Sequence, residues 1–134
     1  MILVKNVCST LICIFLYIYK VRCLLKIQDD TIDLSDNEIF NLENVPYLNR
    51  WGTKLINHNR ITRINPNIGE FLLKLHALVV TNNRIVNLIE IDRLASLPKL
   101  QFLSLLDNNI TKKANYRLYV INKLKSLRFW ISRN

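Results

Sequence analysis

The sequence predicts an α/β solenoid, in which short parallel strands stack side by side into one curved sheet. The first observation is an asparagine that recurs at intervals of 22, 24 and 25 residues. An isoleucine follows each asparagine by two residues, and an aliphatic residue precedes each by three. The repeat asparagines are Asn37, Asn59, Asn83 and Asn108. A period of about 20–29 residues with this pattern is typical of leucine-rich repeats.

Each repeat is predicted to contribute one strand that ends near its asparagine. Because side chains alternate along a strand, the aliphatic residues five and three positions before the asparagine should point inward, for example Leu78 and Val80. The inward column closest to the asparagines is predicted to contain Leu34, Ile56, Val80 and Leu105. The asparagine should bond backbone groups that would otherwise be buried and unpaired. Since no repeat can bury its apolar face alone, the repeats must stack.

Some positions extend this pattern or depart from it. Lys54 stands at an inward strand position in the second repeat, where it must snorkel or distort the strand. A partial fifth repeat is predicted from Leu124, Leu127 and Phe129, with Ser132 at the asparagine position. Aliphatic residues five positions after three of the asparagines should cover the far side of the core: Leu42, Ile64 and Leu88.

The chain is short enough for one domain with two flanking segments. Leucine-rich repeats are predicted over residues 29–111 and a C-terminal capping region over 112–134, while 1–28 form an atypical apolar segment. Residues 6–19 are uncharged but too few for a spanning helix, and no small-residue cleavage site follows this signal-like run. A cap on the solenoid end and a gene-model artefact are favoured over export, so no membrane is expected.

Charge and cysteine usage constrain the environment of the protein. The net charge of +9 suits an anionic partner or a complex containing nucleic acid, although an ordinary solvated surface explains it equally well. The three cysteines all lie in the first 23 residues, and none lies in the repeats. This distribution argues against a disulfide-capped extracellular solenoid and favours a reducing compartment.

No motif in the sequence predicts catalysis. Glycine-rich phosphate loops, paired cysteines and a His-Glu-x-x-His motif are absent. The only histidines, His58 and His76, lie near different strands and are interpreted as surface residues rather than ligands. We therefore expect a protein that is not an enzyme and that has no cofactor, metal site or small-molecule substrate.

The outward strand positions are the predicted partner-binding face. They combine small polar residues with a few apolar ones and contain no lysine or arginine, which fits protein recognition better than a phosphate track. The alternative is a concave face without a partner. The candidate binding residues are Asp33, Ser35, Leu55, Asn57, Val79, Thr81, Ser104 and Leu106.

Basic residues cluster in the last quarter of the chain. Residues 112–125 are predicted to form a helix, with Tyr116, Tyr119 and Val120 on one face. The favoured interpretation is a capping helix with solvated lysines, since solenoid ends require caps with polar outer faces. The alternative is a positive ribbon near RNA phosphates, with candidate contacts from Lys112, Lys113, Arg117 and Lys123.

Several segments together resemble one family, the U2 small nuclear ribonucleoprotein A′ proteins of the spliceosome. The resemblance covers about residues 29–129, including IDLSDNEI, NHNRITRI, LVVTNNRIVNL, LASLPKLQFLSLLDN and KKANYRLYVINKL. The Leu-Ala-Ser-Leu run and the Tyr-Arg-Leu-Tyr-Val-Ile run are its most specific parts. The chain departs from the family at Lys54, at Lys125 (proline in the family) and at Ile131 (aspartate), as expected of a truncated or divergent member.

The resemblance implies a nuclear, non-enzymatic scaffold in pre-mRNA splicing. In that family the concave sheet receives a helix of the B″ protein, which carries an RNA-recognition motif, and the pair binds U2 small nuclear RNA mainly through B″. One alternative is a generic leucine-rich repeat adaptor, such as a phosphatase or cytoskeletal regulator. Another is an exported or membrane-tethered repeat protein, which depends on residues 6–19 alone.

Overall fold

The structure, a computed structural model, describes residues 2–3, 31–42 and 52–131. The strands are β1 (Ile2–Leu3), β2 (Thr31–Asp33), β3 (Asn41–Leu42), β4 (Thr53–Leu55), β5 (Arg63–Ile64), β6 (Ala77–Val79), β7 (Phe102–Ser104) and β8 (Phe129–Ile131). The helices are α1 (Ile68–Phe71), α2 (Ile89–Leu94) and α3 (Tyr116–Lys123), with a 3-10 turn at Asn109–Lys112 before α3.

Six of the strands form one parallel sheet in the order β1-β2-β4-β6-β7-β8. Each strand pairs with its counterpart one repeat away, so that Thr31 lies opposite Thr53, and Thr53 opposite Ala77. Between β4 and β6, β6 and β7, and β7 and β8, the chain leaves the sheet through β5 and α1, α2, and α3, respectively. This is the α/β solenoid that the period of the asparagines predicts.

The inward side chains form the core, and the predicted column is present. Leu34, Ile56, Val80 and Leu105 are at most 1% exposed. The backbone links them in sequence: the N–H of Leu34 donates to the Leu55 carbonyl, that of Ile56 to Val79 and that of Val80 to Ser104. The far side is covered as predicted by Leu42 and Ile64, which are buried, and by Leu88, which is partly buried.

Lys54 occupies its predicted inward position and is completely buried. The register places it between Ile32 and Leu78 in the column that continues to Leu103. A lysine is almost never fully buried unless its ammonium group is paired. In this column it is the one charged side chain among the described residues.

Three of the repeat asparagines, Asn59, Asn83 and Asn108, join their own repeat to the preceding one. The Nδ2 group of Asn83 donates to the carbonyls of Ile56, Val80 and Thr81 at 2.9, 3.1 and 3.3 Å. Its Oδ1 accepts the N–H of Ile61 at 3.0 Å. Asn59 and Asn108 make the same four kinds of contact one repeat earlier and later. These asparagine bridges satisfy backbone groups at the bend where the strand ladder stops.

The residue directly before each repeat asparagine has a left-handed backbone. Asp36, His58, Asn82 and Asp107 have φ values of 59°, 54°, 54° and 56°. Among residues with a Cβ, asparagine, aspartate and histidine are the ones enriched in this region. The sequence therefore contains at each bend a residue type that reduces the cost of the turn.

On the far side of the solenoid, a second parallel sheet contains only two short strands among the described residues. β3 and β5 form a two-stranded sheet. The next repeat places α2 at the β5 edge instead of a strand, and Glu90 Oε2 accepts the N–H of Ile64 at 2.7 Å. Arg93 Nη1 donates to the Ile64 carbonyl at 2.8 Å and to both Glu90 oxygens at 3.2 and 3.3 Å. The Glu90–Arg93 pair thus replaces a strand by binding both backbone groups of Ile64.

The fifth repeat has a different register from the predicted one. Trp130, rather than Phe129, lies opposite the inward Leu103, and Phe129 is 67% exposed. The predicted alignment with Ser132 at the asparagine position was therefore wrong. The N–H of Gln101 donates to the His76 carbonyl, and at the equivalent position of the next repeat the N–H of Arg128 donates to the Gln101 carbonyl. The resulting interval of 27 residues is longer than the others because α3 and its flanking turns occupy it.

The predicted helix over residues 112–125 is also shorter than expected. The helix is α3, Tyr116–Lys123, and Asn115 before it has a left-handed φ of 64°. A left-handed residue cannot continue a right-handed helix, so the 3-10 turn and α3 are separate elements. The predicted buried face is present, with Tyr116 and Val120 at 2% and 1% exposure.

Most of the N-terminal segment, including the apolar run 6–19, lies outside the described residues. Within residues 1–28, only β1 is described, and it pairs in parallel with β2. In the described ranges, no helix has the length and apolar character that crossing a lipid bilayer requires.

Candidate partner-binding surface

The outward positions of the sheet form aligned columns on one face. The register aligns four candidate binding residues in one column: Asp33, Leu55, Val79 and Ser104. Ile131, which was not a candidate, continues this column. A second column contains Thr31, Thr53, Ala77, Phe102 and Phe129. The strands therefore bring the candidates of successive repeats side by side.

The candidates that follow the strands also support the backbone. Ser35 Oγ accepts the N–H of Asn57 at 3.1 Å, and Asn57 Oδ1 accepts the N–H of Thr81 at 2.9 Å. The hydroxyls of Thr81 and Ser104 are 3.0 Å apart. Ser35 and Ser104, which the sequence places at outward strand positions, are only 8% and 3% exposed. Both side chains are buried where they form hydrogen bonds to the neighbouring repeat.

The polarity of the face changes along the solenoid. Its N-terminal part presents Thr31, Asp33 and Thr53, whereas its C-terminal part presents Val79, Phe102 and Leu106, all partly buried. Of the described outward residues, none is basic and Asp33 is the one acid. A partner that binds here needs an apolar surface opposite the later repeats and polar groups opposite the earlier ones.

Sequence reasoning missed the contribution of the last strand to this face. Phe129 and Ile131 are 67% and 43% exposed and extend the outward columns beyond Phe102 and Ser104. The signal that could have found them is the alternation Phe-Trp-Ile, which places Trp130 alone on the inward side. The apolar end of the face is therefore larger than predicted.

The predicted basic cluster belongs to the C-terminal cap. Lys112 ends the 3-10 turn, Lys113 follows it, and Arg117 and Lys123 belong to α3; all four are exposed. Lys112 and Lys113 form no ion pair with any residue that the structure describes. Lys123 differs, because its Nζ lies 3.6 Å from Asp92 Oδ1. Its charge is partly compensated, so it is less suited to a phosphate than the two lysines before α3.

Asp92 also connects α2 to α3 through Tyr119. The Tyr119 hydroxyl lies 2.8 and 2.9 Å from the two Asp92 oxygens. The hydrogen bond to Asp92, burial of the phenol and the negative charge of Asp92 together raise the pKa of Tyr119 above its ordinary value of 10.0. All three favour the neutral phenol, which can donate to the carboxylate.

Tyr119→Phe is expected to lower stability below pH ~10 and to have progressively less effect above it. The folded pKa exceeds the unfolded one, so the stabilisation by the phenol is fully present below the unfolded pKa of about 10. It is lost as the pH rises through the raised folded pKa. Urea unfolding of both proteins from pH 8 to pH ~11.5 measures the difference. A difference that stays constant across this range would contradict the assignment.

The cap is closed by an aromatic pair. The rings of Tyr116 and Trp130 are 5.6 Å apart at an interplanar angle of 62°. Burial raises the pKa of the Tyr116 hydroxyl, and the nearby Trp130 indole partly opposes this shift. The two polar atoms fall short of hydrogen-bonding geometry, and neither has another partner in the described part of the chain. The contact is therefore one of ring packing.

Both histidines, His58 and His76, are exposed. His58 Nδ1 lies 2.8 Å from Asn82 Nδ2, which fits the tautomer in which Nδ1 accepts. Residues 2–3, 31–42 and 52–131 contain no group of three or more histidine, cysteine, aspartate or glutamate side chains that could hold a metal ion.

Comparison with known proteins agrees with the geometry. A family profile described as "Leucine-rich repeat" matches residues 21–133, which is most of the chain. The chain belongs to the leucine-rich repeat family. The match begins within the segment predicted to be atypical, so the family pattern extends N-terminal to residue 29.

Individual relatives confirm the more specific resemblance. Over 101 residues the chain is 83% identical to U2 small nuclear ribonucleoprotein A′ of Arabidopsis thaliana, covering 75% of this chain and 41% of that protein. It is 48% identical to the Homo sapiens protein of the same name over the same length, or 40% of that protein. The leucine-rich repeat chain thus spans less than half the length of these curated relatives.

A solved structure matches the fold. A chain in the crystal structure of the Drosophila melanogaster SNF/U2A′ complex superposes with a TM-score of 0.74 and 40% sequence identity. The match covers 80% of this chain and 62% of that one. The leucine-rich repeat architecture described above is therefore shared with a protein found in a complex.

Proposed function

We propose that this chain is a non-enzymatic scaffold of the U2 small nuclear ribonucleoprotein in pre-mRNA splicing. The observation that carries the proposal is the 83% identity over 101 residues to a U2 small nuclear ribonucleoprotein A′. It acts in the nucleus, where spliceosomal particles act. Its partner is a B″-type protein with an RNA-recognition motif, and U2 small nuclear RNA is bound mainly through that partner.

The concave face supports a protein partner rather than direct RNA binding there. Its described outward residues include no lysine or arginine to neutralise phosphates. Its C-terminal half offers Val79, Phe102, Leu106 and the exposed Phe129 as an apolar surface. An amphipathic helix with an apolar stripe fits such a hollow. We infer that the exposed Lys112 and Lys113 of the C-terminal cap assist in binding the RNA.

Val79→Arg and Leu106→Arg are expected to weaken binding of a recombinant B″-type protein at least about tenfold, because a charge is placed in the apolar contact area. Both residues are partly exposed and lie on the outward face, so the fold should survive. Val86→Arg is the matched control: Val86 is 38% exposed and lies beyond the repeat asparagine. Calorimetry gives the affinities and circular dichroism verifies folding.

The wild-type chain and the control should also recover U2 small nuclear RNA together with the B″-type protein from nuclear extract. A folded wild-type chain that recovers neither would refute the proposal and leave a generic leucine-rich repeat adaptor. Equal binding by the control and both concave-face variants would show that the partner uses another surface.

A further inference from the structure

The two edges of the six-stranded sheet, at the two ends of its strands, differ in charge. The entry edge, where the chain enters the strands, consists of residues 73–76, 98–101 and 125–128. The exit edge, where the chain leaves them, consists of residues 36–38, 58–60, 82–84 and 107–109. The exit edge combines acids with bases, and Arg60 lies 3.2 Å from Glu38. The entry edge contains lysines and an arginine but no acid.

Backbone hydrogen bonds align the entry edge from one repeat to the next. The N–H of Gln101 donates to the His76 carbonyl, and that of Arg128 donates to the Gln101 carbonyl. Lys74 and Lys99 stand two residues before His76 and Gln101, so they are neighbours in successive repeats. Because adjacent strands lie about 4.8 Å apart, the edge presents a new cation at roughly this interval.

The basic side chains of the entry edge can accept a ligand. All four are exposed, and none forms an ion pair with a residue in the described ranges: Lys74, Lys99, Lys125 and Arg128. Glu70 is the acid nearest to Lys74 in the sequence, but it belongs to α1 and makes no ion pair with that lysine. Lys74 and Lys99 precede β6 and β7, each of which has a paired strand on both sides, so these two cations lie well inside the sheet.

The chemistry of the edge indicates which anion fits it. A lysine ammonium is a compact point charge that binds phosphate groups. Every nucleotide carries one phosphate, so one strand of nucleic acid can supply an anion to each repeat that it crosses. Residues 73–76, 98–101 and 125–128 include no phenylalanine, tyrosine or tryptophan on which unpaired bases would stack. Helical RNA, whose bases are already paired, therefore fits this edge better than a single strand.

We propose that the entry edge is a binding site for the phosphate backbone of double-helical RNA. Lys74 and Lys99 contact phosphates of one strand, and Lys125 and Arg128 extend the contact to the next repeat. In the particle proposed above, the entry edge holds a helical part of the RNA while the concave face holds the protein partner. Only this identity of the RNA rests on the proposed function, since the edge itself recognises phosphates.

The probe is a fluorescein-labelled RNA hairpin with a stem of about 12 base pairs, titrated with the full chain in fluorescence anisotropy. The expected dissociation constant at physiological salt is about 10⁻⁴–10⁻⁶ M, as for phosphate contacts without base recognition. The logarithm of the affinity should fall with the logarithm of the salt concentration, with a slope of about −0.9 for each phosphate contacted. A single-stranded RNA of the same length and a polyglutamate peptide of the same charge should bind more weakly.

Two double variants compare the edges. Lys74→Ala with Lys99→Ala should lower the affinity for the hairpin at least about fivefold and make the salt slope shallower by about 2, one for each lost contact. Arg60→Ala with Arg84→Ala is the matched control, because it removes the same charge from the exit edge. Its salt slope should stay close to that of the wild type. Both variants should bind the B″-type protein like the wild type, and circular dichroism verifies that they fold.

Methyl-group NMR locates the bound hairpin. The Leu73 methyl groups should shift when the hairpin is added, because Leu73 is 55% exposed and lies beside Lys74. The Val86 methyl groups should not shift, because Val86 is 38% exposed but follows the exit edge.

Equal effects of the two double variants on the salt slope would overturn the proposal, because the RNA would then respond to net charge alone. It is also overturned if the folded wild-type chain does not bind the hairpin, or if the single strand or the peptide binds as tightly. Each of these results would leave the proposed function standing as long as the wild-type chain binds the B″-type protein.

Discussion

Asn83→Ala is expected to destabilise the protein by about 3 kcal/mol or more, because each buried polar group left unpaired costs about 1–3 kcal/mol. Asn83 is 7% exposed, and its side chain bonds three carbonyls and the N–H of Ile61. Alanine removes all four contacts, and no water can replace them without opening the stack. Since domains of this kind are stable by about 5–15 kcal/mol, the loss is a large fraction of the total.

Thermal and urea unfolding measure the effect, and a neighbouring asparagine provides the control. The melting temperature should fall by about 10 °C for a loss of this size. Asn82→Gly should change stability little, because Asn82 is exposed and has a left-handed φ of 54° that glycine adopts freely. Asn83→Asp should resemble alanine, since it keeps the acceptor but loses the Nδ2 donor. Equal melting temperatures for Asn83→Ala and Asn82→Gly would refute the bridging role.

Glu90→Ala is expected to cost about 2–4 kcal/mol, because it leaves the Ile64 N–H without its acceptor and Arg93 without its counter-charge. The Glu90 side chain is 2% exposed and 2.7 Å from the Ile64 nitrogen. Glu90→Gln should be intermediate, since its amide oxygen can still accept that N–H but carries no charge. Arg93→Ala should cost less than Glu90→Ala, because the arginine is 26% exposed and water can take its place.

Glu70→Ala is the control for this prediction, because Glu70 is an exposed glutamate on the neighbouring helix α1. It should change stability by no more than about 0.5 kcal/mol. The double variant of Glu90 and Arg93 should cost less than the sum of the single variants, which reports their coupling. If Glu90→Ala unfolds at the same urea concentration as Glu70→Ala, the hydrogen bond from the Ile64 N–H to Glu90 does not stabilise the protein.

The sequence predicted the strand ladder well because two independent periods agree there. The interval between asparagines sets which strands are neighbours, and the alternation within each strand sets which side chains are buried. Leu34, Ile56, Val80 and Leu105 satisfy both conditions, and all four lie in one buried column. Lys54 is also buried at the inward position that the alternation predicts, although burying a lysine is unfavourable.

The prediction failed where only one of the two periods was available. In the fifth repeat no asparagine fixed the register, and the count from the fourth repeat did not allow for the length of α3. Phe129 was therefore assigned to the core that Trp130 occupies. Contacts such as Glu90 with Ile64 could not be predicted, because they join residues 26 positions apart with no repeating signal. The same holds for the enclosure of Ser35 and Ser104, which depends on their neighbours' backbones.

The direction of the asparagine bridges determines where this protein can be divided into fragments. Asn59 serves the backbone of Leu34 and Ile39, and Asn108 serves that of Val80 and Ile85, always one turn of the solenoid upstream. A fragment that stops just before an asparagine therefore damages a turn that it still contains. A fragment in which the last complete repeat keeps its hydrogen bonds must therefore end after the asparagine of the next repeat.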